Sequence, residues 1–95
     1  MKVNICGMSH KVIEVEDNFN TLLNMGMIEY TTQTIKINKD MSNSMKDEAL
    51  CHEMVHGILV HIGRQDLCTD ETLVQALGNA IWQGFEIRKF EESEE

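Results

Sequence analysis

Ninety-five residues, 42% hydrophobic and 25% charged, suffice for one domain with a modest core, near the lower end of what folds without a disulfide or a metal. The net charge of −8 includes four acids in the terminal run Glu91, Glu92, Glu94 and Glu95, and no basic patch points to nucleic acid. Three cysteines without a Cys-x-x-Cys pair exclude a disulfide framework and suit a reducing compartment.

No signal-like N-terminus and no bilayer-length apolar run is present, so a cytoplasmic location away from membranes is expected. Residues 1–90 read as a single domain and 91–95 as a flexible acidic tail without an apolar partner.

In chain order, the loose alternation of Met1–Cys6 and the β-branched run Lys11–Glu16 predict two strands joined by a turn at Gly7–His10, with His10 solvated in that turn. Asp17 or Asn18 can cap a short helix carrying Phe19, Leu22, Leu23 and Met25, with Gly26 as its left-handed C-cap. Met27–Thr31 and Thr34–Ile37 flank Thr32-Gln33 as a second hairpin.

After a polar stretch, Ser44 with Asp47 resembles a capping box that opens a helix running to about Ile62 and stopping at Gly63. Leu50, Met54, Val55, Ile58, Leu59 and Ile62 cover most of its circumference, the mark of a central helix. Arg64–Cys68 connect to a last helix, with Thr69 as N-cap and Leu73, Val74, Leu77, Ala80, Ile81 and Phe85 at helical spacing. Trp82, the methionines and Phe85 read as core. The sum is an α+β fold of order ββαββαα, with a small, mostly antiparallel sheet packed on the central helix.

That central helix carries Cys51-His52-Glu53-Met54-Val55-His56. His52 and His56 are four apart and project from one face, so both can reach a single ion. Glu53 lies about 100° around the helix, where it can hold a water without being a ligand. A hydrolytic zinc takes three protein ligands and keeps one position open. The third must come from another element, and the first turn of the last helix offers Asp70 and Glu71; periodicity alone leaves both open. Cys68 is the one sensible thiolate alternative, since Cys51 cannot share the histidine face. Tyr30, His61 and His10 are the available donors to a developing oxyanion, and His61 also suits a helix end, where a cation meets the dipole.

The segment Glu48-Ala-Leu-Cys-His-Glu-Met-Val-His-Gly-Ile-Leu, with the Gly26–Ile37 hairpin before it and Asp-Glu-Thr-Leu-Val-Gln-Ala-Leu after it, resembles the small phage and prophage relatives of ImmA/IrrE-type metallopeptidases. The resemblance spans about Gly26–Phe85. It implies a minimal zincin-like fold and one zinc held by His52, His56 and Glu71. Glu53 would be the general base for peptide-bond hydrolysis by metal-bound water, and Thr34–Ile37 would line the cleft as a peptide-pairing edge. It further implies a phage-encoded hydrolase in a bacterial host cell. The partner would be a peptide or protein substrate, a repressor being what the larger relatives suggest. The rival reading is a catalytically inactive zincin-fold zinc protein that serves as an interaction module. A metal-free helical module is a third, disfavoured by the cost of burying two unpaired histidines and a glutamate.

Overall fold

In the computed structural model, which describes residues 1–16 and 25–91, the chain forms a four-stranded mixed sheet with two helices. The elements are β1 (Lys2–Ile5), β2 (Met8–Val15), β3 (Gly26–Glu29), β4 (Thr34–Asn38), α1 (Asn43–His61), a 3-10 turn (Gln65–Thr69) and α2 (Glu71–Gly84). The strands lie side by side as β1-β2-β4-β3. Both hairpins are antiparallel as expected, but β4 inserts between β2 and β3 and runs parallel to β2, with Val12 opposite Ile35. The sheet, expected to be mostly antiparallel, is therefore mixed, with two antiparallel pairings and one parallel. Ile35 and Ile37, both almost fully buried, account for the central place of β4.

Local turn chemistry explains several departures. The first turn is Cys6-Gly7, both with positive φ (51° and 82°), between paired Ile5 and Met8. This is the geometry of a two-residue type I′ hairpin, disguised by a cysteine at its first position. His10 consequently lies in β2 opposite Val3 with no solvent exposure, and its Nδ1–H donates to the Met8 carbonyl at 2.9 Å. The expectation of a solvated turn histidine is thus corrected. Residues 17–24, which carry most of the expected short helix, lie outside the described residues. Gly26 is not a left-handed cap: it opens β3 without a positive φ.

Helix α1 starts two residues earlier than the Ser44 box suggests. Ser42 is the N-cap, its Oγ accepting the Met45 N–H at 3.3 Å, while Asp47 is engaged by Lys89 at 2.8 Å. Gly63, at φ 82°, follows the helix end as expected. Asp70, rather than Thr69, caps α2 by accepting the Leu73 N–H at 3.0 Å; Thr69 belongs to the 3-10 turn, where its hydroxyl donates to the Asp66 carbonyl.

Helix α2 ends at Gly84, so Phe85 is not core; it is 73% exposed, and Trp82, Met8, Met27 and Met45 are also exposed. The chain then returns to the sheet. Phe90 and Lys2 exchange backbone hydrogen bonds of 2.7 and 2.8 Å, which covers part of the β1 edge. Residues 92–95 of the expected tail lie outside the described residues.

Helix α1 lies between the sheet and α2, burying Leu50 and Ala49 against Val3, Ile5, Val12, Ile35 and Ile37 on one side, and Val55 and Leu59 against Val74 on the other. Two glycines set both separations. A Cβ at Gly57 would stand 2.9 Å from Ile5 Cδ1 and 3.1 Å from Ile28 Cδ1, and one at Gly78 would stand 3.3 Å from the His52 backbone. Ile5 is fully buried and has little room to yield. Gly57→Val is therefore expected to destabilise the fold by about 1–3 kcal/mol, read as a lower denaturation midpoint. An unchanged midpoint would mean that helix and sheet are not held at this distance.

Candidate metal centre

The one-turn spacing on α1 places His52 and His56 side by side, their rings 5.0 Å apart at 64°. Because Asp70 is the cap, the next residue, Glu71, is the first of α2 and turns its carboxylate between the two rings. Glu71 Oε2 lies 3.0 Å from His52 Nε2, and Oε1 lies 3.2 Å from His56 Nε2. Of the two acids, Asp70 is taken up by the helix cap and Glu71 is the one that approaches both rings. His52, His56 and Glu71 each offer a ligand atom within 4.8 Å of the others.

A tetrahedral ion with bonds of about 2.0–2.2 Å keeps its donors roughly 3.3–3.6 Å apart. Each imidazole nitrogen lies 3.0–3.2 Å from a different oxygen of the carboxylate and the three ligand atoms lie within 4.8 Å of one another, so a small divalent cation fits once the side chains draw in to that spacing. The electrostatics agree. Burial holds the His56 imidazole below its ordinary range, aided by His52 and opposed by Glu71, which favours the neutral ring that a metal requires.

The three residues open onto a cleft of about 640 Å³, whose walls include β3 and, on the helical side, Glu53, Ala49 and Gln75. Glu53 is 8% exposed. Burial, reinforced by Glu71 and opposed by His52, pushes its carboxyl up to about 7 in the metal-free protein. A bound cation would draw that value back down.

Of the three expected hydroxyl or imidazole donors, the cleft receives only Tyr30. Its phenol is pushed up to about 12, first by burial and then by Cys68, Glu53 and Glu71, and keeps its proton at neutral pH. His61 stacks edge-on against buried His10 at 5.8 Å. The thiol of Cys68 donates to the His56 carbonyl at 3.6 Å instead of joining the ligand group, and Cys51 is buried.

Two features escape the sequence reading. Gln75 Oε1 lies 2.8 Å from His52 Nδ1, one turn beyond Glu71 on the same face of α2, and the four-residue spacing was the available signal. The strand lining the cleft is β3, not Thr34–Ile37, because β4 is interior to the sheet. Asn38 N–H donates to the Met25 carbonyl at 2.9 Å, and the register places Met27 opposite Lys36. Alternation then makes Met27 and Glu29 the residues bonded to β4, which turns the backbone groups of Gly26 and Ile28 toward the outer edge, where no strand pairs among the described residues.

Comparison of the chain with protein-family models, with curated proteins and with solved structures finds no match.

Two outcomes test this geometry. Glu71→Ala should reduce affinity for zinc by at least about 100-fold, whereas Asp70→Ala should retain one equivalent per chain and lose only about 1 kcal/mol of cap stability; calorimetric titration of both variants separates them. The second outcome concerns pH. Glu53 has a raised value, so its contribution to stability is intact below the ordinary carboxylate range and is lost as pH rises through about 7. His56 has a lowered value, so its contribution is intact above 6.5 and is lost as pH falls through the depressed value. Metal-free Glu53→Gln should therefore exceed wild type at pH 8, by up to about 3 kcal/mol, with the difference closing toward pH 4. A difference independent of pH would contradict burial as the cause.

Proposed function

We propose that the chain is a zinc-dependent metallopeptidase of minimal zincin type, akin to the phage relatives of the ImmA/IrrE enzymes that its central motif resembles. The observation that carries this reading is the common cleft. One wall offers a His-His-Glu set with a buried carboxylate beside it, and the other is β3, whose outer edge pairs with no strand among the described residues. A purely structural zinc site needs neither Glu53 nor an open strand edge.

In this reading His52, His56 and Glu71 hold the ion. When bound, it supplies Lewis-acid polarisation of the scissile carbonyl and acidification of water. Extended peptide pairs with the Gly26 and Ile28 backbone of β3, which fixes the scissile bond over the helix. Glu53 Oε accepts a proton from the attacking water as the new C–O bond forms, and returns it to the amide nitrogen as the C–N bond breaks. The Tyr30 hydroxyl donates to the carbonyl oxygen as negative charge develops there. The mixed nitrogen and oxygen donors and the three-ligand count suit a hydrolytic zinc, and iron, cobalt and nickel accept the same set.

The test offers a peptide library to zinc-loaded wild type, Glu53→Gln and Tyr30→Phe. Wild type is expected to cleave. Glu53→Gln should lose essentially all turnover while retaining zinc, and Tyr30→Phe should lower kcat about 10²–10³-fold with little change in KM. Equal cleavage by wild type and Glu53→Gln would contradict the role of Glu53. No cleavage by zinc-loaded wild type would support the non-catalytic, partner-binding reading instead.

A further inference from the structure

We infer that Gln75 and Asn79 form a relay that fixes the His52 ring for metal binding; the inference rests on the metal-centre reading above and assigns two residues beyond the ligand set. Residues 71, 75 and 79 lie four apart and form one stripe of α2 facing α1. The first meets both imidazoles. The second places its amide oxygen 2.8 Å from His52 Nδ1, and its amide nitrogen donates to Asn79 Oδ1 at 3.0 Å.

The direction of this chain matters. A glutamine amide has one accepting end and one donating end. With its NH₂ end committed to Asn79, Gln75 turns its oxygen to His52, and Nδ1 must carry the ring hydrogen. In the neutral ring the lone pair then sits on Nε2, 3.0 Å from Glu71 Oε2, and these two acceptors face each other favourably when a cation lies between them. A flipped amide would present hydrogen to Nδ1, move the ring proton to Nε2 and block the metal-binding lone pair. His56 stacks edge-on against His52, so a fixed first ring also limits rotation of the second.

The choice of an amide has a chemical consequence. Two neutral imidazoles, one carboxylate and a divalent ion leave one net positive charge at the centre. A carboxylate at position 75 would cancel it, strengthening cation binding and weakening the electrophile. Gln75 orients the ring while leaving that charge in place.

The test measures zinc affinity by chelator competition for wild type, Gln75→Leu, Gln75→Glu, Asn79→Ala and Glu71→Ala. The His52 Nδ1–H resonance of each zinc-loaded protein and metal-free thermal denaturation, as the control on folding, accompany it. Gln75→Leu should bind zinc about 10–100-fold more weakly and lose the slowly exchanging Nδ1–H signal. Gln75→Glu should bind at least as tightly as wild type and keep that signal, an outcome that a merely structural role for the side chain would not produce. Asn79→Ala, at the outer end of the relay, should weaken binding less than Gln75→Leu and speed exchange of the same proton. If Gln75→Leu fails to fold, the Gln75→Glu and Asn79→Ala results decide. Affinity and exchange unchanged in Gln75→Leu, or in Asn79→Ala should Gln75→Leu not fold, would overturn the relay alone, provided that Glu71→Ala releases zinc. Zinc binding that is absent from wild type or indifferent to Glu71 would overturn the relay and the metal centre together.

Discussion

The approach of α2 to α1 is the constraint on which the site depends. Two histidines on one helical turn supply only part of a group that could hold an ion, and the rest arrives only if a second helix passes close enough for an acidic side chain to reach both rings. Gly78 permits that passage, since its missing Cβ faces the His52 backbone at 3.3 Å. On the opposite side of α1, Gly57 performs the same service toward the sheet, with Ile5 and Ile28 at 2.9–3.1 Å. The central helix is thus held closely on two sides, and the ligand geometry follows from backbone packing rather than from flexible side chains finding one another.

This packing also shapes the electrostatics. Pressing α1 into the core removes water from Glu53 and His56, which raises the one and lowers the other. In so small a domain a buried carboxylate costs the fold stability as pH rises through about 7, and Glu53 stands beside the His-His-Glu group. The sheet contributes through its asymmetry. The β1 edge is partly covered by the return of the chain at Phe90, while β3, at the other edge among the described residues, lines the same cleft as the His-His-Glu group.

Local periodicity made the helical part of the site legible. The four-residue spacing of His52 and His56, the adjacent Glu53 and the stop at Gly63 are all consequences of residues close in the chain, and α1 follows them. Choosing between Asp70 and Glu71 required knowledge of which residue caps α2, and the sequence Thr69-Asp70 offers two good caps in succession. The type I′ turn at Cys6-Gly7 carried no asparagine or aspartate to announce it, so His10 was displaced from strand to turn. The order of the strands was beyond reach for a different reason: the parallel pairing of β2 with β4 joins segments about twenty residues apart, and hydrophobic alternation specifies a buried face but not a neighbour. Gln75 went unnoticed because a glutamine on an amphipathic helix has many uses, and only its partner reveals which one applies.

The most direct measurement of the central claim is the coordination of cobalt(II) substituted into the metal-free protein, followed by its visible absorption. The account predicts saturation at one equivalent per chain, with the intense d–d bands of a four-coordinate centre that vanish in Glu71→Ala while Asp70→Ala retains them. Weak six-coordinate bands, or a spectrum indifferent to Glu71, would contradict it.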